Sequence, residues 1–140
     1  MKTKPTKKNK SWFVKRLDTI AKRLAKQRDE YTCQKCGQKV EGSNAHGSHV
    51  VPVSAGQTLR WDLENIDCMC MHCHIYWWHK NPLESSAWFR EKFTERYEYL
   101  ESMRHLIIKF PITQLEEFYE AVKDCDDWEE YHRLYRDMMA

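Results

Sequence analysis

Two Cys-x-x-Cys pairs place the strongest constraint on how this chain folds. The pairs are Cys33 with Cys36 and Cys70 with Cys73, and a glycine follows the first pair. Two such turns supply the four thiolates of a closed tetrahedral zinc site. Residues 37–69 separate the pairs, an interval of 33 residues, which is longer than the 15–20 of an ordinary zinc ribbon. We therefore expect a unit with its own structure between them.

The charge of the chain is divided into two blocks. Residues 1–28 contain 11 Lys and Arg against one Asp, a net +10, so the other 112 residues carry 12 − 20 = −8. A basic arm of this kind is typical of a protein that binds a polyanion. No apolar run approaches the ~20 residues of a membrane span, and no secretory signal follows the basic start. We expect a cytoplasmic protein with reduced cysteines and no membrane partner.

The N-terminal region divides into a tail and a helix. Residues 1–10 lack the apolar side chains needed to fold, which predicts a disordered basic tail. Within residues 11–30, the spacing of the apolar residues predicts a basic amphipathic helix over about 12–28 with Ser11 as N-cap. Its polar face is either a solvated surface or a surface that faces DNA. The cations of that face are Lys15, Arg16, Lys22, Arg23 and Lys26.

Residues 81–140 predict a helical accessory region. The expected helices are Pro82 to about Phe93 after an Asn81 cap, Glu95 to His105, a third begun by the capping box Thr113-x-x-Glu116, and a fourth begun by Asp127-x-x-Glu130. Residues 111–140 carry nine acids and three bases, which argues against DNA contact there. Their apolar side chains suggest either a homodimer surface or a site for a protein partner.

Three polar residues between and beside the cysteine pairs form a specific pattern. His49 precedes Val50-Val51-Pro52, Asn65 follows 16 residues later, and His74 comes nine residues after that, directly behind Cys73. The whole segment from residue 31 to 80 holds most of the cysteines and histidines. A lone histidine on a strand is more often structural, but three polar residues at these intervals, framed by two zinc-binding turns, are hard to obtain by accident.

On these residues, segment 31–80 resembles the HNH (ββα-metal) endonucleases. It is most similar to phage and prophage members, including the NinG-like recombination proteins and the recombination endonuclease VII type. The resemblance implies an α+β fold: a small ββα-metal module organised by a four-cysteine zinc site, with a basic helix before it and helices after it. It also implies double-stranded or branched DNA as the partner, and a role in phage DNA recombination or processing.

The resemblance implies a role for each polar residue. His49 would be the general base, Asn65 would keep it oriented, and His74 would bind a catalytic divalent cation separate from the structural zinc. Histidine titrates near neutral pH, which suits a base that removes a proton from water. The catalytic cation would be Mg²⁺, Mn²⁺ or Ni²⁺, and imidazole ligands favour the latter two.

One position departs from the family pattern. Many members have an acid or a histidine that binds the catalytic metal just before the base, whereas this chain has Ser48. His46 would share a strand face with Ser48, and we expect it to supply the missing ligand. Asp62 and His79 are the other candidates, although His79 stands five residues from His74, off the same face of an α-helix.

The remaining signals each leave an alternative open. Arg60 would either clamp the phosphate that is cut or form a surface ion pair. The aromatic residues Tyr76, Trp77, Trp78, Trp88 and Phe89 would either stack on bases or pack in the core, and we favour packing. Cys68 and Cys125 are expected to be packing residues.

Two functions therefore compete. The first is a metal-dependent DNA endonuclease that acts through a single catalytic cation. The second is a non-catalytic, zinc-stabilised DNA-binding or recombination adaptor with a vestigial site. A zinc-organised protein-interaction module is the third interpretation, and the basic arm argues against it.

Overall fold

The computed structural model describes residues 8–55 and 58–140, and within them the chain has the expected α+β architecture. The expectation of a disordered tail falls mainly on residues 1–7, which lie outside the described residues. In chain order the elements are α1 (Lys10–Arg28), β1 (His46–His49), β2 (Ile66–Met69), a π-helical segment (His72–Trp78), α2 (Pro82–Lys92), α3 (Thr94–Met103), α4 (Ile112–Val122) and α5 (Trp128–Met139).

Helix α1 begins two residues before the expected start. The side chain of Asn9 accepts a hydrogen bond of 2.9 Å from the backbone N–H of Trp12, so Asn9 is the N-cap and Ser11 lies inside the helix. The prediction of Ser11 as the cap is therefore wrong, because Asn9 satisfies an amide of the first turn that lacks an intrahelical partner. The helix ends at Arg28, and two residues with positive φ, Glu30 and Tyr31, turn the chain towards the first cysteine pair.

The larger core lies between α1 and the two C-terminal helices. The expected apolar stripe of α1 is buried, and it packs with buried residues of α4 and α5 and with Trp61. Two tyrosines of α5 link this core to the loop before β2: the Tyr131 hydroxyl donates to the Trp61 carbonyl and the Tyr135 hydroxyl to the Thr58 carbonyl, both at 2.7 Å. The apolar side chains that suggested a dimer or partner surface are thus used within the chain.

The later helices follow the expected starts with one exception. Pro82 occupies the first turn of α2, and the Asp127 side chain caps α5 by accepting from the Glu129 N–H at 3.1 Å. The prediction that a capping box at Thr113 starts the third helix is wrong. Helix α4 already begins at Ile112, with Pro111 at the N-cap position and no side-chain cap bond. With Pro111 as N-cap, whose fixed φ suits a helix start, α4 begins two residues earlier than a Thr113 cap would give.

Strands β1 and β2 pair antiparallel and position the histidines. The register places His46 opposite Met69 and His49 opposite Ile66. Gly47 lets β1 approach α1 closely, since a Cβ at this glycine would lie 2.7 Å from Cγ of Lys22. The sheet is thereby fixed against α1 as well as against the cysteine-rich turns.

A network of buried charges joins α1, β2 and α3. The carboxylate of Asp67 is 2% exposed and lies 2.8 Å from the Arg96 guanidinium and 3.7 Å from that of Arg28. Asp29, paired with Arg28, also accepts from the Cys68 backbone N–H at 2.8 Å. Each buried charge therefore has an opposite partner, as burial requires.

The aromatic residues pack largely as expected. Phe89 is completely buried, and Trp77, Trp78 and Trp88 are half-buried against each other and the sheet, with Trp77 and Trp88 ring centroids 5.4 Å apart. Tyr76 differs, because half of its surface is exposed. Core packing therefore describes four of the five rings.

Candidate functional site

The four paired cysteines converge as the sequence predicts. The sulfurs of Cys33, Cys36, Cys70 and Cys73 all lie within 4.8 Å of one another. Within residues 8–55 and 58–140, this is the one group of three or more His, Cys, Asp or Glu side chains whose ligand atoms lie that close together. Four thiols in this arrangement are the donor set of a structural Zn²⁺ site.

The local backbone supports the cysteine cluster. Gly37 adopts a left-handed conformation with φ of +80°, which lets its N–H donate to the Cys33 carbonyl and close the first turn. In the second turn the Cys73 N–H donates to Cys70 Sγ at 3.3 Å. Although burial raises the pKa of Cys33, backbone hydrogen bonds at Cys36 and Cys70 lower it to about 7, which favours the metal-binding thiolate.

The other two cysteines do not join the cluster. Cys68 is completely buried in β2, and burial raises the pKa of its thiol to about 12. Cys125 is buried between α4 and α5, where its thiol donates to the Asp127 carbonyl at 3.2 Å. Both are packing residues, as expected.

A π-helical segment brings His74 and His79 together. The backbone N–H of His79 donates to the His74 carbonyl at 3.2 Å, a bond that spans five residues instead of four. The two side chains therefore share a face, with their Nε2 atoms 3.0 Å apart. The sequence predicts His79 off this face only if the segment is an α-helix, with its period of 3.6 residues. Such π-helical turns occur frequently at functional sites.

His46 meets the opposite side of the His74 ring. Its Nδ1 lies 2.9 Å from Nδ1 of His74, and its Nε2 lies 2.9 Å from the Ser43 carbonyl oxygen. Since a carbonyl only accepts, Nε2 of His46 carries the proton and Nδ1 carries the lone pair. Burial, followed by the charges of His79 and His46, lowers the pKa of His74 to about 4. The ring of His74 is therefore neutral, which is the form that binds metals.

A backbone hydrogen bond fixes the tautomer of His49. Its Nε2 donates to the Arg60 carbonyl at 2.9 Å, so the lone pair is on Nδ1. The ring is half-buried, and burial, followed by the charge of Lys22, lowers its pKa below 6.5 despite the hydrogen bond to Arg60. At neutral pH the His49 imidazole is therefore unprotonated.

Asn65 fixes the loop that holds His49 rather than His49 itself. The Asn65 side chain is completely buried; its Oδ1 accepts from the Val51 N–H at 2.7 Å, and its Nδ2 donates to the carbonyls of Val51 at 3.0 Å and Leu59 at 3.1 Å. Leu59 precedes Arg60, whose carbonyl holds the His49 ring. Asn65 therefore orients His49 through the backbone.

Asp62 is not available to the histidine group. Its carboxylate is completely buried and accepts from the Tyr99 hydroxyl at 2.5 Å and from the Glu64 N–H at 2.9 Å. It caps the short turn before β2, so its candidacy as a metal ligand is wrong. No signal in the neighbouring sequence separates such a capping aspartate from a ligand.

Arg60 adopts the ion-pair alternative. Its guanidinium forms a two-pronged pair with the Asp18 carboxylate, with hydrogen bonds of 2.8 and 2.7 Å. The indole N–H of Trp61 donates to the same carboxylate at 2.9 Å. An acid of α1 thus holds the charged end of Arg60 in this structure, and a contact of Arg60 with DNA stays a prediction.

The cations of α1 point in different directions. Lys15 and Arg16 are exposed, and the Arg16 guanidinium lies 4.5 Å from the Trp12 ring centre. Arg23 donates to the Cys125 carbonyl at 3.0 Å and faces Asp126 in the α4–α5 loop, and its contact with DNA stays a prediction. Lys22 turns towards β1, where its stem packs on Gly47.

An open cleft adjoins the histidines. Its volume is about 240 Å³, and both His49 and His79 contribute to its wall. The remaining lining is mainly apolar and aromatic, including Trp78, Phe89 and Tyr97. The proposed base is therefore accessible from the surface.

The two carbonyls that orient the histidines, of Ser43 and Arg60, could not have been found from residue types.

The chain was compared with known proteins. The comparison with curated proteins and the comparison with solved structures gave no match. No helix among the described residues has the length and apolar character needed to cross a membrane. The family model described as HNH endonuclease matches residues 33–75, a segment that spans both cysteine pairs together with His49, Asn65 and His74. Residues 33–75 are thus similar to the HNH endonuclease family and contain a four-cysteine cluster that could hold a metal ion.

Proposed function

We propose that this protein is a metal-dependent DNA endonuclease in which His49 is the general base and His74 is a ligand of the single catalytic cation. The observation that carries the proposal is the orientation of His49. Its ring is anchored through Nε2 and neutral, lies close enough to His74 to act on its pKa, and lines an open cleft together with His79. A neutral imidazole with an oriented lone pair can remove a proton from water.

The histidine group fits a divalent cation. Two imidazole nitrogens on adjacent positions of one metal, each about 2.1 Å from it, lie about 3 Å apart. The Nδ1 atoms of His46 and His74 are 2.9 Å apart, and the Nε2 atoms of His74 and His79 are 3.0 Å apart. His74 with either partner would hold the cation, which when bound neutralises charge on the phosphate. Imidazole donors favour Mn²⁺ or Ni²⁺ over Mg²⁺.

Three residues of the chain have separate roles in the proposed reaction. His49 takes the proton of the attacking water at Nδ1, while the Arg60 carbonyl holds the imidazolium that results. Asn65 donates to the neighbouring Leu59 carbonyl and so holds the backbone just before Arg60. The products implied by the family resemblance are a 5′-phosphate and a 3′-hydroxyl.

The basic arm is proposed to bind the DNA backbone. Lys15 and Arg16 expose their charges on α1, and the sequence before α1 adds further lysines. If the arm contacts about six phosphates, the affinity for DNA should fall on the order of 10³-fold when the salt concentration rises from 50 to 200 mM. We extend the proposal to double-stranded or branched DNA in the cytoplasm, and to phage DNA recombination or processing.

One observation favours a non-catalytic adaptor as the second candidate. Ser48 replaces the metal ligand that many family members carry before the base, and it is 2% exposed. Hydroxyls are weak ligands, so the site depends on histidines from elsewhere in the module. An adaptor would bind DNA through the same arm without cutting it.

A cleavage assay separates the two candidates. Purified protein is incubated with supercoiled plasmid and with a branched oligonucleotide, in Mg²⁺, Mn²⁺, Ni²⁺ or EDTA. The endonuclease predicts nicks or breaks with Mn²⁺ or Ni²⁺ and none with EDTA. Binding of both substrates without cleavage in any metal would identify the adaptor.

A further inference from the structure

We propose that Lys22 is a catalytic residue whose ammonium group contacts the phosphate that is cut, from a helix outside the HNH segment. The inference rests on the proposed nuclease function and adds a residue that residues 33–75 do not contain. Phosphodiester hydrolysis builds negative charge on the phosphate oxygens, and a positioned cation beside the metal lowers the barrier.

The first argument is the position of Lys22. Its stem packs on Gly47, which directly follows His46 and lies two residues before the base His49. A Cβ at Gly47 would lie 2.7, 2.9 and 3.3 Å from Cγ, Cβ and Cδ of Lys22. Lys22 is half-buried there, and its charge is close enough to lower the pKa of His49, second to burial among the lowering effects. The ammonium group therefore belongs to the surroundings of the base.

The second argument is that Lys22 has no other task. Within residues 8–55 and 58–140, no hydrogen bond or ion pair engages its ammonium group. Its neighbours on α1 differ: Arg23 binds the α4–α5 loop, and Lys26 donates to the Ala45 carbonyl at 3.3 Å. Arg60, the other basic residue near His49, is held by Asp18. Among the described residues, Lys22 is thus the cation near the base that remains available to a phosphate.

The third argument concerns Gly47. A side chain at this position would push the Lys22 stem away from β1, because the contact involves its first three carbons. Glycine therefore lets the lysine lie along the strand and reach the histidines. A residue held this way loses little conformational freedom on binding a phosphate.

The test separates catalysis from DNA binding. Lys22→Met keeps the packing stem and removes the charge, Lys22→Arg keeps a charge, and Lys109→Met removes an exposed lysine between α3 and α4. Single-turnover cleavage of a plasmid with Mn²⁺ gives the rate constant, and a titration gives the DNA Kd. We expect Lys22→Met to slow cleavage about 10²-fold with Kd changed only a few-fold, Lys22→Arg to recover most of the rate, and Lys109→Met to match wild type.

Two results overturn the inference, and neither overlaps with failure of the proposed function. Equal cleavage rates for wild type and Lys22→Met would show that the ammonium is not at the reacting phosphate. A loss confined to Kd would make Lys22 an ordinary backbone contact. If wild type itself does not cut in any metal, the nuclease proposal fails first. A thermal melt of each variant identifies any loss caused by unfolding.

Discussion

The side-chain amide of Asn65 forms two hydrogen bonds with the backbone of Val51. Its Oδ1 accepts from the Val51 N–H at 2.7 Å, and its Nδ2 donates to the Val51 carbonyl at 3.0 Å. This pairing imitates a strand contact and closes the loop between β1 and β2. A third bond, to the Leu59 carbonyl, holds the chain next to Arg60. The position of the His49 ring therefore depends on an amide that does not touch it.

Replacement of Asn65 tests this relationship. Asn65→Ala leaves three backbone groups of the loop without partners, two of them on Val51. Since an unsatisfied buried group costs about 1–3 kcal/mol, we expect the free energy of unfolding to fall by about 2–4 kcal/mol. Urea denaturation followed by tryptophan fluorescence measures the change. A stability equal to that of wild type would mean that the loop does not need the amide.

The pH dependence follows from the burial of His49. Burial lowers its pKa below the ordinary 6.5, so the neutral base persists to lower pH. We expect cleavage at saturating Mn²⁺ to exceed half of its maximum at pH 6.5 and to reach half only when the pH falls to the lowered pKa. The stability that His49 contributes is likewise full above 6.5 and is lost as the pH falls, because the unfolded state takes up the proton first. A half-maximal rate above pH 6.5 would contradict this.

Zinc binding is tested at the one exposed cysteine of the cluster. Cys36→Ser removes almost no packing, because Cys36 is on the surface, so any loss of stability must come through the metal. We expect about one zinc ion per chain in wild type by elemental analysis, and both less zinc and a lower Tm in the variant. Unchanged zinc content and Tm in Cys36→Ser would show that the cluster is not a Zn²⁺ site.

The catalytic cation is tested with three histidine variants. Because His74 belongs to both candidate ligand pairs, His74→Ala should abolish cleavage at any Mn²⁺ concentration. Substitution of the second ligand should raise the Mn²⁺ concentration needed for cleavage at least about 10-fold. Whichever of His46→Ala and His79→Ala shows this increase identifies that ligand. His105→Ala, at an exposed histidine after α3, serves as the control. If both His46→Ala and His79→Ala cut DNA at the Mn²⁺ concentration that wild type needs, neither candidate ligand pair holds the cation.

The contact between β1 and α1 is tested at Gly47. Gly47→Ala places a Cβ against the Lys22 stem, and such overpacking costs about 1–3 kcal/mol. The cost should be smaller in a Lys22→Ala background, where two of the three contacting atoms are gone. A double-mutant cycle from urea unfolding measures the difference. Additive effects would show that the two residues do not meet.

The sequence allowed the four-cysteine cluster, the apolar face of α1 and the starts of α2 and α5 to be predicted, because each depends on local spacing or capping. The π-helical turn could not be predicted, since its sequence carries no signal that distinguishes it from an α-helix, and this concealed the contact of His79 with His74. The pairing of Arg60 with Asp18 joins residues 42 apart and depends on tertiary packing. The same is true of α4 and α5, whose apolar faces pack on α1.

The central claim is that His49 activates the attacking water, and one comparison tests it most directly. Single-turnover cleavage of supercoiled plasmid with Mn²⁺ is measured for wild type, His49→Ala and the control His105→Ala, with zinc content and DNA Kd determined for each. The account predicts that His49→Ala binds zinc and DNA as wild type does but cuts at least about 10²-fold more slowly, while His105→Ala cuts normally. Cleavage by His49→Ala at the wild-type rate would contradict it.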